Sequence, residues 1–274
     1  MKLRFSKMHG IGNDFVLVDC RAQALGLSAA QIARVGDRHS GVGFDQLLTI
    51  EPARDPSCAF RYDIYNTDGS RAMQCGNGVR CVAAWLQRDG ALGVGATRLE
   101  SPSGPVSIEV LASGVRADMG VPRFAPAEIP LRMAASDPFW LMVNDDDVEF
   151  GAVSMGNPHA VIEVADVAAA PLATLGAALS TNINFPQGCN VGFVQIVDRT
   201  RVHLRVWERG AGATLACGSG ACAAVAVLRR RGKLDAEVSV SLPGGELEIR
   251  WDGEGQAVWM TGPAQFVFEG VIEI

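Results

Sequence analysis

Short runs of apolar residues, each bounded by glycine, proline, aspartate or asparagine, dominate the chain. Such runs predict β-strands because branched and aromatic side chains suit a pleated backbone, whereas the bounding residues favour turns. The predicted strands are Phe15–Asp19, Gln46–Ile50, Val106–Val110, Val191–Val197, Val202–Trp207, Val238–Leu242 and Glu246–Trp251. The pattern therefore predicts a strand-rich protein whose strands are mostly antiparallel.

Two segments, Cys75–Asp89 and Cys217–Arg231, have the pattern of helices and begin with a distinctive motif. Each starts with Cys-Gly, a small polar residue and a second Gly. Arginine lies in the last turn of each segment, and a glycine follows it, as is typical of a helix C-terminus. A shorter helix is predicted over Ala29–Val35, with Ser28 as its N-cap.

The two cysteine-led helices are copies of one another. CGNGVRCVAAWLQRDG begins at Cys75, and CGSGACAAVAVLRRRG begins 142 residues later at Cys217. A repeat of this length predicts two similar units. We therefore predict an α/β (α+β) fold with two pseudo-symmetric, strand-rich halves, each wrapped around a central helix, with the boundary near Met119–Pro122. Further residues align nearby: Asn66 with Glu208 at the same spacing, and Asn13 with Asn157 and Gln46 with Asn190 at a spacing of 144.

The composition is that of a soluble globular chain, with 274 residues of which 48% are hydrophobic and 20% are charged. A net charge of −6 argues against nucleic acid and against an anionic membrane surface as the main partner. The first residues lack the apolar stretch of a signal peptide, and the longest uncharged segment, Val167–Val197, contains two prolines. We expect a cytoplasmic protein without a nucleic-acid or membrane partner.

The cysteines at the helix starts are candidate acid/base groups. Free N–H groups and the helix dipole favour a negative charge there, so we expect the pKa of both thiols to be lowered. The adjacent N–H groups can also bind a carboxylate. Two such helix ends can present a thiol to each face of an α-carbon, as proton removal and return on opposite sides require. The other cysteines are expected in the core: Cys20, Cys58, Cys81, Cys189 and Cys222.

The residue spacing disfavours metal and cofactor chemistry. No Cys-x2-Cys pair typical of zinc or thioredoxin-like redox sites accompanies the helix cysteines. The glycine-rich segments match neither a P-loop nor a complete dinucleotide-binding motif. Only three lysines occur, Lys2, Lys7 and Lys233, and none has the setting expected of a pyridoxal phosphate Schiff-base lysine. We predict no metal and no cofactor.

The motifs and their order resemble those of diaminopimelate epimerases. The segment from Asn66 to Ser70, followed by Cys75-Gly-Asn-Gly-Val-Arg80, is similar to the signature of that family. The resemblance covers the whole chain, apart from loops such as Ala125–Val148. It includes the segments KMHGIGNDF (Lys7–Phe15), GFDQLL (Gly43–Leu48), GNPHAV (Gly156–Val161), GCNVGF (Gly188–Phe193) and ERGAGATLACGSGACA (Glu208–Ala223).

The resemblance implies a cofactor-independent isomerase that interconverts LL- and meso-diaminopimelate, in the synthesis of lysine and of peptidoglycan precursors. It also implies that the last strand, about Phe266–Ile274, returns to the first half. The expected halves are then residues 1–118 with 264–274, and residues 119–263. Members of the family commonly form homodimers, so a homodimer is expected here too.

The resemblance also implies roles for individual residues. Cys75 and Cys217 are the two acid/base thiols, and His159 and Glu208 tune their protonation. Arg209 suits a two-pronged grip on the distal carboxylate of the substrate, and Glu208 suits an ammonium group. The implied substrate contacts are Asn13, Gln46, Asn66, Gly76, Asn77, Asn157, Asn190, Glu208, Arg209, Gly218 and Ser219.

Two alternative functions remain open at this point. A related two-cysteine racemase acting on proline would use the same thiols, but proline has no second charged end for Glu208 and Arg209. A thiol-based protein that binds an amino acid or senses redox state would bind without turnover. Exchange of the substrate's α-hydrogen with solvent distinguishes an enzyme from such a binding protein.

Overall fold

A computed structural model describes residues 2–112 and 114–274 of the chain. Contacts divide the chain into two units. The first unit comprises Met1–Asp118 together with Thr261–Ile274, and the second comprises Met119–Met260. The C-terminal segment 264–274 thus belongs with the first unit. No helix of the described residues is long and apolar enough to cross a membrane.

Strands greatly outnumber helices among the described residues. The helices are α1 (Ala29–Gly36), α2 (Gly76–Arg88), α3 (Ala177–Ser180) and α4 (Gly218–Arg230), with a π-helical turn at Leu172–Gly176. The strands are β1 (Lys2–Gly10), β2 (Asn13–Asp19), β3 (Gln46–Pro52), β4 (Phe60–Arg61), β5 (Ile64–Asn66), β6 (Arg71–Ala72), β7 (Gly95–Ser101), β8 (Gly104–Leu111), β9 (Gly114–Asp118), β10 (Phe139–Val143), β11 (Asp146–Ser154), β12 (Pro158–Glu163), β13 (Asn190–Asp198), β14 (Arg201–Glu208), β15 (Gly212–Thr214), β16 (Glu237–Leu242), β17 (Gly245–Trp251), β18 (Val258–Gly262) and β19 (Gln265–Glu273).

In the first unit, strands surround helix α2. Strand β2 runs parallel to β3, whereas β1 pairs antiparallel with β2 on one side and with β19 on the other. Strand β3 pairs antiparallel with β5 and with β4, and β4 runs parallel to β7 of the β7–β8–β9 meander. Val79, Val82 and Leu86 of α2 are buried in the core that these strands form. Removal of this apolar face from water stabilises the unit and holds the start of α2 in place.

The second unit has a comparable arrangement around helix α4. Strands β10, β11 and β12 form an antiparallel series, and β12 runs parallel to β13. Strand β14 pairs antiparallel with β13 and parallel with β16, which forms a hairpin with β17. Most residues of α4 are buried, and many of them are alanines. Small side chains allow neighbouring strands to lie close to the helix.

The two units use the same strand register, which confirms the predicted repeat. Phe15 lies opposite Gln46 in the parallel pair β2–β3, and His159 lies opposite Asn190 in the parallel pair β12–β13. His159 follows Phe15 by 144 residues, and Asn190 follows Gln46 by the same number. Helices α2 and α4 have 13 residues each, and each begins directly after its cysteine. The glycines after the two helices have φ angles of 78° and 72°, which glycine adopts without strain.

Most elements predicted from the sequence are confirmed, and the seven predicted strands agree with the structure to within two residues at each end. Ser28 caps α1 through a reciprocal pair of hydrogen bonds with Gln31. Several other elements were not among those predicted. The segment Ala125–Val148, interpreted as loops, contains strand β10 and the start of β11, and the π-helical turn before α3 had no recognisable pattern.

Candidate active site

In the first unit, Cys75 lies at the N-terminus of α2, as predicted. It is the N-cap residue, and the backbone N–H of Gly78 donates to its sulfur at 3.4 Å. The thiol in turn donates to Oδ1 of Asn13, with 3.7 Å between the sulfur and the oxygen. The thiol is half-buried. It therefore combines a position in the electrostatic field of the helix with partial access from solvent.

Polar side chains predicted to bind substrate lie close to this thiol. The amide of Asn77 donates to Oδ1 of Asn13 at 3.2 Å. Gln46 donates to Asn66 at 3.1 Å, and these two residues lie opposite each other on β3 and β5. Oδ2 of Asp45, the residue before Gln46, accepts from the amide of Asn13 at 2.8 Å. The five predicted side chains of the first unit thus form two hydrogen-bonded groups, Cys75 with Asn13 and Asn77, and Gln46 with Asn66, and Asp45 and Gln46 are adjacent in the chain.

One atom of this neighbourhood has no partner. Oε1 of Gln46 is buried, and none of the described residues donates a hydrogen bond to it. A buried acceptor without a donor costs free energy, of the order of 1–3 kcal/mol. A ligand that carries an N–H group, such as an ammonium, would satisfy this oxygen.

In the second unit, Cys217 has the corresponding position at the start of α4. It is the N-cap residue, and only 4% of its surface is exposed. Burial raises the pKa of this thiol well above its ordinary value, and the negative charge of Glu208 raises it further. Ser219, whose hydroxyl lies 3.8 Å from the sulfur, and the N–H of Gly220 oppose this shift but do not outweigh it. The expectation of a lowered pKa is therefore wrong for Cys217.

His159 and Asn157 form a buried pair in the same unit. Nε2 of His159 lies 3.0 Å from Oδ1 of Asn157. Burial, together with the positive charge of Arg209, lowers the pKa of His159 to about 3. The imidazole is therefore neutral at physiological pH and can donate a hydrogen bond to the Asn157 oxygen.

The remaining predicted side chains of the second unit cluster where β14 ends. Oδ1 of Asn190 accepts from the backbone N–H of Arg209 at 2.9 Å. The guanidinium of Arg209 donates to the carbonyl of Gln187 at 2.7 Å, and Glu208 accepts from the hydroxyl of Thr214 at 2.5 Å. Since Glu208 also acts on the Cys217 thiol, the second unit brings this carboxylate close to its thiol.

The buried histidine makes the stability of the protein depend on pH. An unfolded chain takes up a proton at histidine near pH 6.5, whereas folded His159 does not until about pH 3. The free energy of unfolding should thus fall by about 1.4 kcal/mol per pH unit as the pH decreases below 6.5. Between about pH 7 and pH 5, this group should contribute a loss of roughly 2 kcal/mol.

Urea unfolding of the wild type and of His159→Gln at both pH values measures this contribution. Between pH 7 and pH 5, the free energy of unfolding of the variant should fall by roughly 2 kcal/mol less than that of the wild type, whatever the variant's stability at neutral pH. His203→Gln, which changes an exposed histidine, serves as the matched control. Equal losses in the wild type and in His159→Gln would contradict the assignment.

Sequence reasoning missed several charged residues around the first thiol. Lys7 is buried, pairs with Asp14 and donates to the carbonyl of Gly43, although a residue so near the chain start was not expected in the interior. Arg80 is fully buried within α2. Both belong to the motifs quoted above, and Asp45 does too. The only available signal was the presence of charged residues within otherwise apolar segments.

Comparison with known proteins identifies the family. The sequence profile described as diaminopimelate epimerase matches residues 5–125 and 151–267. The chain is 55% identical to the diaminopimelate epimerase of Xanthomonas euvesicatoria over 98% of this chain and 96% of the relative. It is 51% identical to the diaminopimelate epimerase of Chromobacterium violaceum over the full length of both.

Solved structures with lower identity share the fold. One is a phenazine biosynthesis protein of Bacillus anthracis, with a TM-score of 0.71 and 15% identity over the full length of both chains. Another is a probable proline racemase of Agrobacterium radiobacter, with a TM-score of 0.69 and 16% identity over 99% of this chain and 92% of the other. The matched profile and the two relatives, taken with the geometry of both cysteines, show that the chain belongs to the diaminopimelate epimerase family.

Proposed function

We propose that this chain is an isomerase that converts LL-2,6-diaminopimelate to meso-diaminopimelate through a two-cysteine acid/base mechanism. The observation that carries the proposal is the repeated helix start. In a chain of this family, each unit presents a cysteine N-cap followed by Gly, a small polar residue and Gly. Membership of the family names the substrate class, and the two cysteines supply a chemistry that needs no further reagent.

The helix starts account for the binding of the reacting carboxylate. Backbone N–H groups in the first turn of a helix lack intrahelical partners and favour an anion. Gly76 and Asn77 occupy these positions in α2, and Gly218 and Ser219 occupy them in α4. A carboxylate held by these groups can accept the negative charge that develops when the neighbouring Cα–H bond breaks.

The proton balance of the reaction requires both sulfurs. One sulfur, as the thiolate, takes the proton from Cα, and the other, as the thiol, delivers its proton to the opposite face. The configuration at Cα is then inverted, and the two sulfurs have exchanged protonation states. We assign these roles to Cys75 and Cys217. Glu208 tunes the second thiol, since its charge disfavours loss of the Cys217 proton.

The amide and charged side chains account for recognition of the remaining polar groups. The unpartnered Oε1 of Gln46 can accept from the substrate's ammonium. Asn13, which accepts from the Cys75 thiol, provides a further amide, and so do Asn66, Asn157 and Asn190, which bond to Gln46, His159 and Arg209. Arg209 can pair with the distal carboxylate and Glu208 with the distal ammonium.

The setting of the reaction follows from the same family membership. We propose a cytoplasmic enzyme of lysine and peptidoglycan precursor synthesis that acts on its small-molecule substrate as a homodimer. It needs no metal or cofactor and has no nucleic-acid or membrane partner. The two units found in the contacts are proposed as the two halves of one catalytic protein.

A hydrogen-exchange experiment tests this function directly. Purified protein is incubated in D2O with LL-diaminopimelate and, separately, with proline. The appearance of meso-diaminopimelate and of deuterium at Cα is followed. Both should appear together. Deuterium incorporation into proline instead of diaminopimelate would favour the racemase alternative, and the absence of exchange with either would favour a binding or redox-sensing protein.

A further inference from the structure

A chain of hydrogen bonds with fixed polarity passes beside the Cys75 thiol. Arg80 donates to Oδ1 of Asn77 at 2.9 Å, and Asn77 donates from Nδ2 to Oδ1 of Asn13 at 3.2 Å. Asn13 then donates from Nδ2 to Oδ2 of Asp45 at 2.8 Å. A guanidinium can only donate and a carboxylate can only accept, so the two ends fix the orientation of both amides between them.

Asp45, the acceptor end of this series of hydrogen bonds, has several other partners although it lies at the surface. Its Oδ2 also accepts from the backbone N–H of Asp14 at 3.1 Å, and its Oδ1 accepts from Arg38 at 2.8 Å. Arg38 in turn bonds the Asp14 carboxylate, which also pairs with buried Lys7. Burial alone would raise the pKa of Asp14, but hydrogen bonds from Arg38 and Lys7 lower it to about 2.

The donor end is held by the core of the first unit. Arg80 is fully buried and also donates to the carbonyl of Gly76 at 3.3 Å. A Cβ atom at Gly10 would lie 3.1 Å from Nη2 of Arg80 and 3.3 Å from Cβ of Asn77. The absence of a side chain at Gly10 therefore leaves room for the Arg80 guanidinium next to Asn77.

We propose that Asp45 is a positioning residue that acts through Asn13 and keeps Oδ1 of that amide facing the Cys75 thiol. The oxygen accepts from the thiol, 3.7 Å away, while the N–H of Gly78 donates to the sulfur from another direction. The thiol form is thus hydrogen-bonded as donor and as acceptor. The inference rests on the proposed function where it concerns turnover, but the orientation of Asn13 can be tested without turnover.

The second unit orients its corresponding asparagine differently. Asn157, which matches Asn13 in the repeat, is bonded by His159. The residue that matches Asp45 at the spacing of 144 is Cys189, a buried thiol in the core. The carboxylate is therefore a feature of the first unit and not a general requirement of the repeated fold.

Two substitutions at position 45 separate the acceptor from the charge. Asp45→Ala removes the acceptor and frees Asn13 to turn away. We expect kcat/KM for LL-diaminopimelate to fall about 10- to 100-fold, as for other small misplacements of reacting groups. Asp45→Asn still offers one oxygen to both Asn13 and the Asp14 N–H, so its kcat/KM should stay within about threefold of wild type. Asp55→Ala, which removes a carboxylate from a turn before β4, is the matched control.

A second measurement does not depend on turnover. The rate of Cys75 alkylation by iodoacetamide at neutral pH, followed by peptide mass mapping, reports the thiolate fraction. In Asp45→Ala the thiol loses a fixed acceptor, so the thiol form is less stabilised and the alkylation rate should rise about two- to tenfold, the range expected for one hydrogen bond. In Asp45→Asn the rate should be unchanged. Unchanged labelling of buried Cys81 and an unchanged melting temperature would show that the fold is intact.

Each outcome bears on the proposal. Wild-type kcat/KM or wild-type alkylation in Asp45→Ala would overturn it. Equal losses in Asp45→Asn and Asp45→Ala would also overturn it, because the charge and not the acceptor would then matter. If the wild type does not epimerise diaminopimelate, the proposed function fails, and the alkylation rates alone decide whether Asp45 orients Asn13.

Discussion

Cys75→Ala and Cys217→Ala should each abolish epimerisation of diaminopimelate. Alanine has no ionisable group, so either variant lacks the acid or the base on one face of the α-carbon, and inversion needs both. The loss should greatly exceed tenfold, the factor that corresponds to about 1.4 kcal/mol of transition-state stabilisation. Coupled assay of meso-diaminopimelate formation at substrate concentrations above and below KM measures it.

Controls for the cysteine variants come from the same chain. Cys20→Ala and Cys58→Ala remove buried thiols that lie outside both cysteine-led helices, and these variants should retain near wild-type activity if they fold. Circular dichroism and melting temperatures identify any variant whose activity is lost through unfolding. A Cys75→Ala or Cys217→Ala enzyme with more than about a tenth of wild-type kcat would contradict the two-base mechanism.

The second large effect concerns the distal end of the substrate. Alanine and proline lack the distal ammonium and carboxylate that Glu208 and Arg209 are proposed to bind, so neither substrate would make these charged contacts. Sites built to pair polar substrate groups typically reject analogues that lack them by a factor of about 10⁴ or more. We expect kcat/KM for alanine and for proline to be lower than that for LL-diaminopimelate by at least this factor. Exchange of the α-hydrogen in D2O measures all three on one scale.

An Arg209→Lys variant provides the matched test of this assignment. Lysine keeps the charge but loses the planar fork that grips a carboxylate at two points. The variant should therefore lose kcat/KM for diaminopimelate while its slow turnover of alanine stays unchanged. Comparable turnover of alanine and diaminopimelate by the wild type would identify a broad-specificity racemase.

The helices were predictable because their ends carry local signals. Cys75 and Cys217 precede glycines at the start of α2 and α4, and Gly90 and Gly232 follow the last turn of each. The strand register in both units was anticipated by the spacing of 144 residues between Gln46 and Asn190. By contrast, β10 was missed because the segment Ala125–Val148 was interpreted as loops, although Phe139–Val143 is itself a short apolar run between Pro138 and Asn144.

The pKa values of the site residues were less predictable than the identity of those residues. The sequence places both thiols at helix starts, and a helix dipole alone lowers a thiol pKa. The depth of burial of Cys217 and the proximity of Glu208 depend on tertiary packing. Together they raise the pKa of this thiol instead of lowering it. Asp45 and Arg80 were missed for a related reason. They act through Asn13 and Asn77, and the sequence alone does not show which partner a charged residue meets.

The return of the C-terminus to the first unit has a consequence for the order of folding. Strand β1, at the start of the chain, pairs with β19, so Lys2 lies opposite Glu273 across almost the whole sequence. A ribosome makes the second unit, Met119–Met260, entirely before it makes β19. One edge of β1 therefore stays unpaired during synthesis of more than two hundred residues, and long-range pairing of this kind is slow. An unpaired edge can pair with other chains, so we expect a variant that lacks the last ten residues to expose this edge of β1 permanently and to aggregate.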